Sequence, residues 1–358
     1  MSAHRELSAA AVASVDHSDI MGDVLDLPAQ LEDALWRVEA AGLPRRDAPE
    51  GLVLCGMGGS AVGGELAVAA TGRRARRPLR VSRDYELDPW IGAGALVLCS
   101  SYSGYTEETL ACFAAAGAVG ASRVALTTGG ALADSARAEG VPVIGVPSGL
   151  QPRAAVAYTT VGALECVAAC GAGDPPAEEV RAAGRLLETL IEEWGPDAPE
   201  GSDAKAIARG LEGALPVVYG AGATVAAARR WKSQLNENAK LPAFASVLPE
   251  ADHNELIGYE RARGLAPLHA VFLGDEAAAS RAAATPRVDR GGGGSHARRR
   301  GHPGRGPRRH GARAAPLAGV ARRSRVRLPG RAGRRGPHVG PRSRELQGAP
   351  GRTLTRCW

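Results

Sequence analysis

Residues 95–110 read Ala-Leu-Val-Leu-Cys-Ser-Ser-Tyr-Ser-Gly-Tyr-Thr-Glu-Glu-Thr-Leu. Ala95 to Cys99 is a short apolar run without charge, the pattern of a strand buried on both faces of a parallel sheet. Ser100, Ser101, Ser103, Gly104 and Thr106 then crowd hydroxyls into a turn. Glu107 to Leu110 open a helical pattern, with Ser103 or Thr106 placed to cap it. Such a strand–turn–helix makes an anion site, because outward N–H groups, the helix dipole and hydroxyl donors converge there. The turn holds no lysine, so it suits a phosphate monoester better than a nucleoside triphosphate.

The same unit recurs on either side. Gly51-Leu-Val-Leu-Cys55 predicts a buried strand, and Gly56-Met-Gly-Gly-Ser-Ala-Val-Gly-Gly-Glu-Leu66 a glycine-rich turn opening a helix. Further strands are expected at 79–82, 123–126 and 141–146, with helices at 106–116 and 131–139. Strands alternating with helices predict a parallel sheet covered on both faces, with ligands at the carboxyl ends of its strands. Before it, Leu25, Leu27, Leu31, Leu35 and Val38 recur at helical spacing and predict an amphipathic helix ending near Gly42. After Gln151-Pro-Arg-Ala-Ala155, helices are expected at 155–170, 176–194 and 202–211. The pattern then restarts: strand Leu215-Pro-Val-Val-Tyr219, a second glycine turn, a helix through Trp231 to about 239, and a strand at 269–273.

The fold class expected is therefore α/β, with two doubly wound, flavodoxin-like parallel-sheet domains. An N-terminal helical segment would span 1–45 and the first domain 46–150. A helical connection would follow at 151–212, then an incomplete second domain at 213–275 and a tail at 276–358.

The overall charge of +6 combines two unlike parts: residues 1–280 carry a net −13 and residues 281–358 a net +19. The six cysteines, at 55, 99, 112, 166, 170 and 357, form no CxxC pair. Reduced thiols in a cytoplasmic protein are expected rather than a disulfide framework. Residues 1–16 lack the apolar stretch of a secretory leader, and no run reaches membrane-span length. Histidines and acids show no clustered ligand spacing, so no metal is expected.

The first glycine loop has other readings. Gly56-x-Gly58-x-x-Ala61 also fits the dinucleotide fingerprint, with Asp84 as the ribose acid, although Asp84 lies further on than usual. The glycines also allow close helix–strand packing by themselves.

Two loops, Gly58-Gly-Ser60 and Ser101-Tyr-Ser-Gly-Tyr-Thr-Glu-Glu-Thr109, resemble those of the sugar isomerase (SIS) domain. Ala228-Arg-Arg-Trp-Lys-Ser-Gln-Leu-Asn-Glu-Asn-Ala-Lys-Leu-Pro242, followed by Pro249-Glu-Ala-Asp-His-Asn254, narrows the resemblance. These segments resemble the bifunctional phosphoglucose/phosphomannose isomerases, which carry two SIS domains. The likeness covers about residues 20–275.

It implies that Ser60, Ser101, Ser103 and Thr106 bind the substrate phosphate, with Gly58 and Gly59 letting the sugar approach the backbone. It implies Glu237 as the base moving a proton between C2 and C1, and Arg153 facing the enediolate. It implies His253 for ring opening, supplied across a dimer interface. The implied substrate is a hexose 6-phosphate, the assembly a homodimer, and no cofactor is needed. Tyr105 departs from the family's usual asparagine.

The chemistry fits these residue types. A carboxylate can take and return one proton, and a permanently charged fork of donors suits a developing enediolate. Trp231 and Leu235 beside Glu237 lead us to expect a buried carboxylate. Other roles are open at this stage. Glu237 can pair with Lys232 or Lys240, His253 can be a surface or capping residue, and Arg153 can cap a helix.

Residues 281–358 hold 21 Arg, 15 Gly, 11 Ala and 8 Pro but no Lys, Ile, Phe, Tyr, Asn or Met. Such a stretch cannot bury a core, and GC-only codons specify its dominant residues. We read a shift of frame within about 274–290, leaving an unstructured tail that truncates the second SIS domain. The resemblance implies a late active-site lysine, which this stretch lacks. The rival reading is an arginine-rich nucleic-acid arm, but interleaved aromatics and regular spacing are missing, so no specific nucleic-acid partner is expected. A non-catalytic SIS sugar-phosphate binder and an amidotransferase-linked SIS enzyme are the competing functional classes. The first is disfavoured by Glu237 and His253 occurring together, the second by the lack of a leading cysteine in residues 1–8.

Overall fold

Gly51–Gly56 (β1) and Ala95–Ser100 (β3) are buried along their whole length and pair in parallel, Gly51 to Ala95 through Gly56 to Ser100. Leu79–Ser82 (β2) lies outside β1, while Ser122–Thr127 (β4) and Val143–Gly145 (β5) extend the sheet beyond β3. All pairings are parallel, in the order β2-β1-β3-β4-β5. The chain therefore reverses its winding between β1 and β3, and a crevice opens there at the carboxyl ends of the strands. The computed structural model describes residues 6–262, 265–274 and 321–322. The expected unstructured tail lies outside the described residues, except for Ala321 and Arg322.

Helices cover both faces. Ala9–Ala13 (α1) and Ile20–Leu25 (α2) precede Leu27–Ala41 (α3), which ends at left-handed Gly42. The single N-terminal helix expected from Leu25 onward is thus broken at Asp26, just before Pro28 in the first turn of α3. A proline there suits a helix start better than an interior. Gly58–Thr71 (α4), Glu107–Ala118 (α5) and Gly130–Ala138 (α6) follow β1, β3 and β4. Val156–Ala169 (α7) is buried at almost every position and packs on α4. Ala177–Trp194 (α8) and Asp203–Leu211 (α9) lead into the second sheet.

Leu215–Ala221 (β6), Phe244–Leu248 (β7) and Leu268–Leu273 (β8) repeat the start of the first sheet. β7 and β8 flank β6 in parallel, as β2 and β3 flank β1. Ala321–Arg322 (β9) pairs antiparallel with β8. Thr224–Glu237 (α10) packs on β6, and Glu250–Asn254 (α11) follows β7. β7 was not foreseen: it is a short edge strand closed by Pro249, and Phe244 at its start is exposed.

The apolar runs decide stability. Leu98 is 1% exposed on β3. Leu98→Ala is expected to cost about 2–5 kcal/mol, seen as a lower urea midpoint at unchanged slope.

Candidate active site

The hydroxyl turn after β3 folds around Ser101, which is 1% exposed. Ser101 Oγ accepts from the backbone N–H groups of Gly104 (3.0 Å) and Thr106 (3.4 Å) and bonds Thr106 Oγ1 at 2.8 Å. Thr106 holds the N-cap position of α5, but its side chain makes no capping bond. Ser103 Oγ accepts from Tyr105 N–H instead of from the helix. The capping expected of Ser103 or Thr106 is therefore replaced by a turn closed on the Ser101 hydroxyl. Ser60 lies in the first turn of α4, and its Oγ accepts from the Tyr102 N–H at 3.2 Å. Ser60 thereby ties the two loops together. Neither α4 nor α5 is capped by a side chain, so both start with N–H groups that lack an intrahelical partner.

Gly104 has φ +73°, and a Cβ there would lie 1.9 Å from the Gly129 carbonyl oxygen. Gly104→Ala must push the hydroxyl turn off α6. It is expected to raise KM for a phosphorylated sugar by about tenfold or more, with a smaller change in kcat.

Gly58 opens α4 with clear space above it, but Gly59 does not. A Cβ on Gly59 would meet the Pro152 carbonyl oxygen at 2.8 Å and Arg153 Cα at 3.2 Å. The missing side chain at Gly59 thus admits the protein's own 152–153 segment. That segment covers the glycine turn, leaving little room for a dinucleotide pyrophosphate. Asp84 meanwhile accepts from the N–H of neighbouring Tyr85. Tyr105 is exposed and its ring edge reaches over Gly130.

Arg153 carries the connection to the second sheet. Its Nη1 stands 3.6 Å from Glu237 Oε2, and its Nε donates to Asn238 Oδ1. Glu237 is the last residue of α10, and its side chain is 46% exposed. The expected burial is not found: Leu235 and Trp231 turn inward against Val218 and Val271 of the second sheet, while Glu237 stays half-exposed beside Arg153. Its ion partner is Arg153, neither Lys232 nor Lys240; Lys240 Nζ donates to the Glu237 main-chain oxygen.

Helical spacing explains this local order. Trp231 and Leu235 (i, i+4) bury one face, while Arg230 and Glu237 (i, i+7) share another. Arg230 was not singled out from the sequence. Its Nη1 donates to the Arg153 carbonyl at 3.2 Å. Burial pulls its guanidinium down to about 10, against the opposing pull of Glu237, so it stays charged at neutral pH. Arg229, one residue earlier, points elsewhere: with Arg83 it pairs buried Glu65 of α4, at 2.6 and 3.0 Å. The two adjacent arginines thus fasten α10 to α4 and to the segment around Arg153.

His253 lies on α11 with an exposed side chain. Behind it, Glu255 accepts from Ser246, Tyr219 and Tyr259. Burial pushes the Glu255 carboxyl up, but these hydrogen bonds outweigh it and the net shift is downward. Among the described residues no group of three His, Cys, Asp or Glu is placed to hold a metal ion, and no helix is long and apolar enough to cross a membrane.

A cavity of about 380 Å³ opens at the opposite end of the first sheet, by Arg46, Ala95, Ser122 and Pro142. It sits at the amino ends of β3 and β4. Open α/β sheets bind ligands at the carboxyl ends, which is where the turns bearing Ser60 and Ser101 follow β1 and β3.

Residues 200–289 match the family model of the bacterial phospho-glucose isomerase C-terminal SIS domain. A bifunctional phosphoglucose/phosphomannose isomerase from Caldicellulosiruptor bescii is 37% identical over 254 residues, covering 70% of this chain and 75% of that protein. The chain belongs to the bifunctional phosphoglucose/phosphomannose isomerase family. Another such isomerase, from Aquifex aeolicus, is 37% identical over 211 residues, 59% of this chain and 62% of that protein. A solved structure from Silicibacter pomeroyi, assigned as a phosphosugar isomerase, has a TM-score of 0.54 at 21% identity and covers 73% of this chain and 80% of that one. That likeness concerns the fold alone. The SIS-domain match takes in Glu237 and His253 and ends at residue 289, where the composition turns to arginine, glycine and proline.

Proposed function

We propose that the chain interconverts glucose 6-phosphate, and also mannose 6-phosphate, with fructose 6-phosphate by proton transfer through an enediolate. The observation that carries this reading is the position of Arg153. Its backbone lies on Gly59 beside Ser60, and its guanidinium lies on Glu237. One residue spans the distance between an anion site and a carboxylate.

In this reading Ser60, Ser101, Ser103 and Thr106, with the first N–H groups of α4 and α5, hold the phosphate. Gly58 leaves the backbone open to the sugar. The Glu237 carboxylate takes the proton from C2, and the electron pair moves into the C1–C2 bond as the carbonyl at C1 becomes an enediolate oxygen. Arg153 supplies positive charge to that oxygen. Glu237 then returns the proton to C1 while the hydroxyl proton on O2 passes to O1, leaving the carbonyl at C2 and a hydroxyl at C1. Either epimer at C2 gives the same enediolate, so glucose and mannose phosphates converge on one product. Ring opening falls to His253, contributed by the partner subunit of a dimer.

The test is a coupled assay of the purified full chain for fructose 6-phosphate formed from each aldose phosphate. Turnover of both is expected. Tight binding of the sugar phosphates without turnover would mean a non-catalytic binder. The implied late lysine is missing from residues 281–358, so restoring the other frame after about residue 289 is expected to raise kcat at least tenfold.

A further inference from the structure

The Leu235-Asn-Glu-Asn238 segment assigns its two amides different work. Asn236 Oδ1 accepts from the Ala243 N–H at 2.8 Å and so fixes the chain leading into β7. Asn238 reaches the other way, to Arg153 Nε, while its own Nδ2 donates to Gln234 Oε1 at 2.8 Å. The guanidinium, which can only donate, fixes the Asn238 oxygen toward itself and leaves the amide nitrogen to Gln234. Gln151 Oε1 adds a longer bond to Arg153 Nη1 at 3.4 Å, and Arg230 holds the Arg153 carbonyl.

An arginine beside a carboxylate normally closes to a two-pronged pair with N···O distances near 2.8 Å. Here the closest approach is 3.6 Å, longer than a hydrogen bond. Asn238 holds the Nε–H and Gln151 shares Nη1, so the guanidinium is anchored by two amide oxygens instead of being drawn onto the carboxylate. A carboxylate locked in a tight guanidinium pair is a poor proton acceptor, because its charge is already satisfied. Arg153 must stay close enough to meet an enediolate oxygen, yet be kept from closing on the base.

We propose that Asn238 is a positioning residue that clamps the Arg153 guanidinium off the Glu237 carboxylate, keeping that carboxylate open to the substrate proton. The inference rests on the isomerase reading for its functional consequence, though the clamp itself does not.

Two variants of the full chain test it, Asn238→Ala and Asn238→Asp. The first removes the acceptor; the second keeps an oxygen at Nε. Asn238 is exposed at the end of α10, so both are expected to fold. In Asn238→Ala kcat is expected to fall about 30-fold or more, with KM within threefold because the phosphate loops are untouched. Asn238→Asp should recover to within about fivefold of the parent. NMR of the Arg153 Nε–H gives a readout free of activity. Slow solvent exchange is expected in the parent and in Asn238→Asp, and fast exchange in Asn238→Ala. If Asn238→Ala keeps kcat within threefold, if Asn238→Asp is as slow as Asn238→Ala, or if Nε–H exchange is the same in all three, the clamp is wrong. If the parent turns over neither aldose phosphate while the exchange pattern holds, the isomerase reading fails and the clamp stands.

Discussion

Glu237→Gln is expected to lower kcat on glucose 6-phosphate by about 10³-fold or more, with binding of the sugar phosphate changed by less than about threefold. The amide keeps the size of the side chain and removes the basic oxygen, and a positioned general base contributes roughly 10²–10⁴-fold. Binding should survive because the proposed phosphate ligands sit on the other sheet, around Ser60 and Ser101. Stability should barely change, since Glu237 is half-exposed and its single ion pair is long. Steady-state kinetics with equilibrium binding of fructose 6-phosphate check both halves. A Glu237→Gln enzyme retaining most of its rate would remove the base from the account.

Arg153→Ala is expected to have the second-largest effect. Loss of one charge-stabilising donor group at a developing oxyanion costs about 10²–10³-fold in kcat. Arg153→Lys should recover little of this. An ammonium can supply the charge, but it cannot at once meet Asn238 through one nitrogen and Glu237 through another. The folded state should tolerate the change, because Gly59 packs against the backbone of residues 152 and 153 rather than the guanidinium. A Lys variant with near-parent kcat would show that charge alone matters at this position.

The parts of this molecule that were legible in the sequence are the local ones. β1 and β3 announced themselves as uncharged apolar runs, and they proved buried over their full length. The loops after them announced hydroxyls and glycines at a helix start. A second copy of the unit was visible from Leu215 onward, and β6 pairs with its neighbours as β1 does. The direction of each hydroxyl was not legible. A threonine at an N-cap position normally turns to its own helix, but Thr106 turns to Ser101 because that buried oxygen lies 2.8 Å away.

Partners distant in sequence were also hidden. Arg229 pairs with Glu65 across 164 positions, and Arg153 meets Asn238 across 85. Nothing in the local pattern separates Arg229 from Arg230, yet the helix turns them toward different partners. Glu237 was expected to be buried beside Leu235 and Trp231. Helical geometry puts that pair on the core face and leaves the last residue of α10 half-exposed beside Arg153. β7 was missed because a short edge strand with an exposed Phe244 carries no clear alternation.

Running the reaction in heavy water tests the central claim most directly. If the Glu237 carboxylate carries the hydrogen between the two carbons, part of it is expected to exchange with solvent on the way, because that carboxylate is half-exposed. Fructose 6-phosphate formed from glucose 6-phosphate would then contain deuterium at C1, and the Glu237→Gln chain would incorporate none at the same rate. Product free of deuterium from the parent chain, together with an undiminished rate in the Glu237→Gln chain, would mean the hydrogen moves directly between the carbons, and the carboxylate has no part in carrying it.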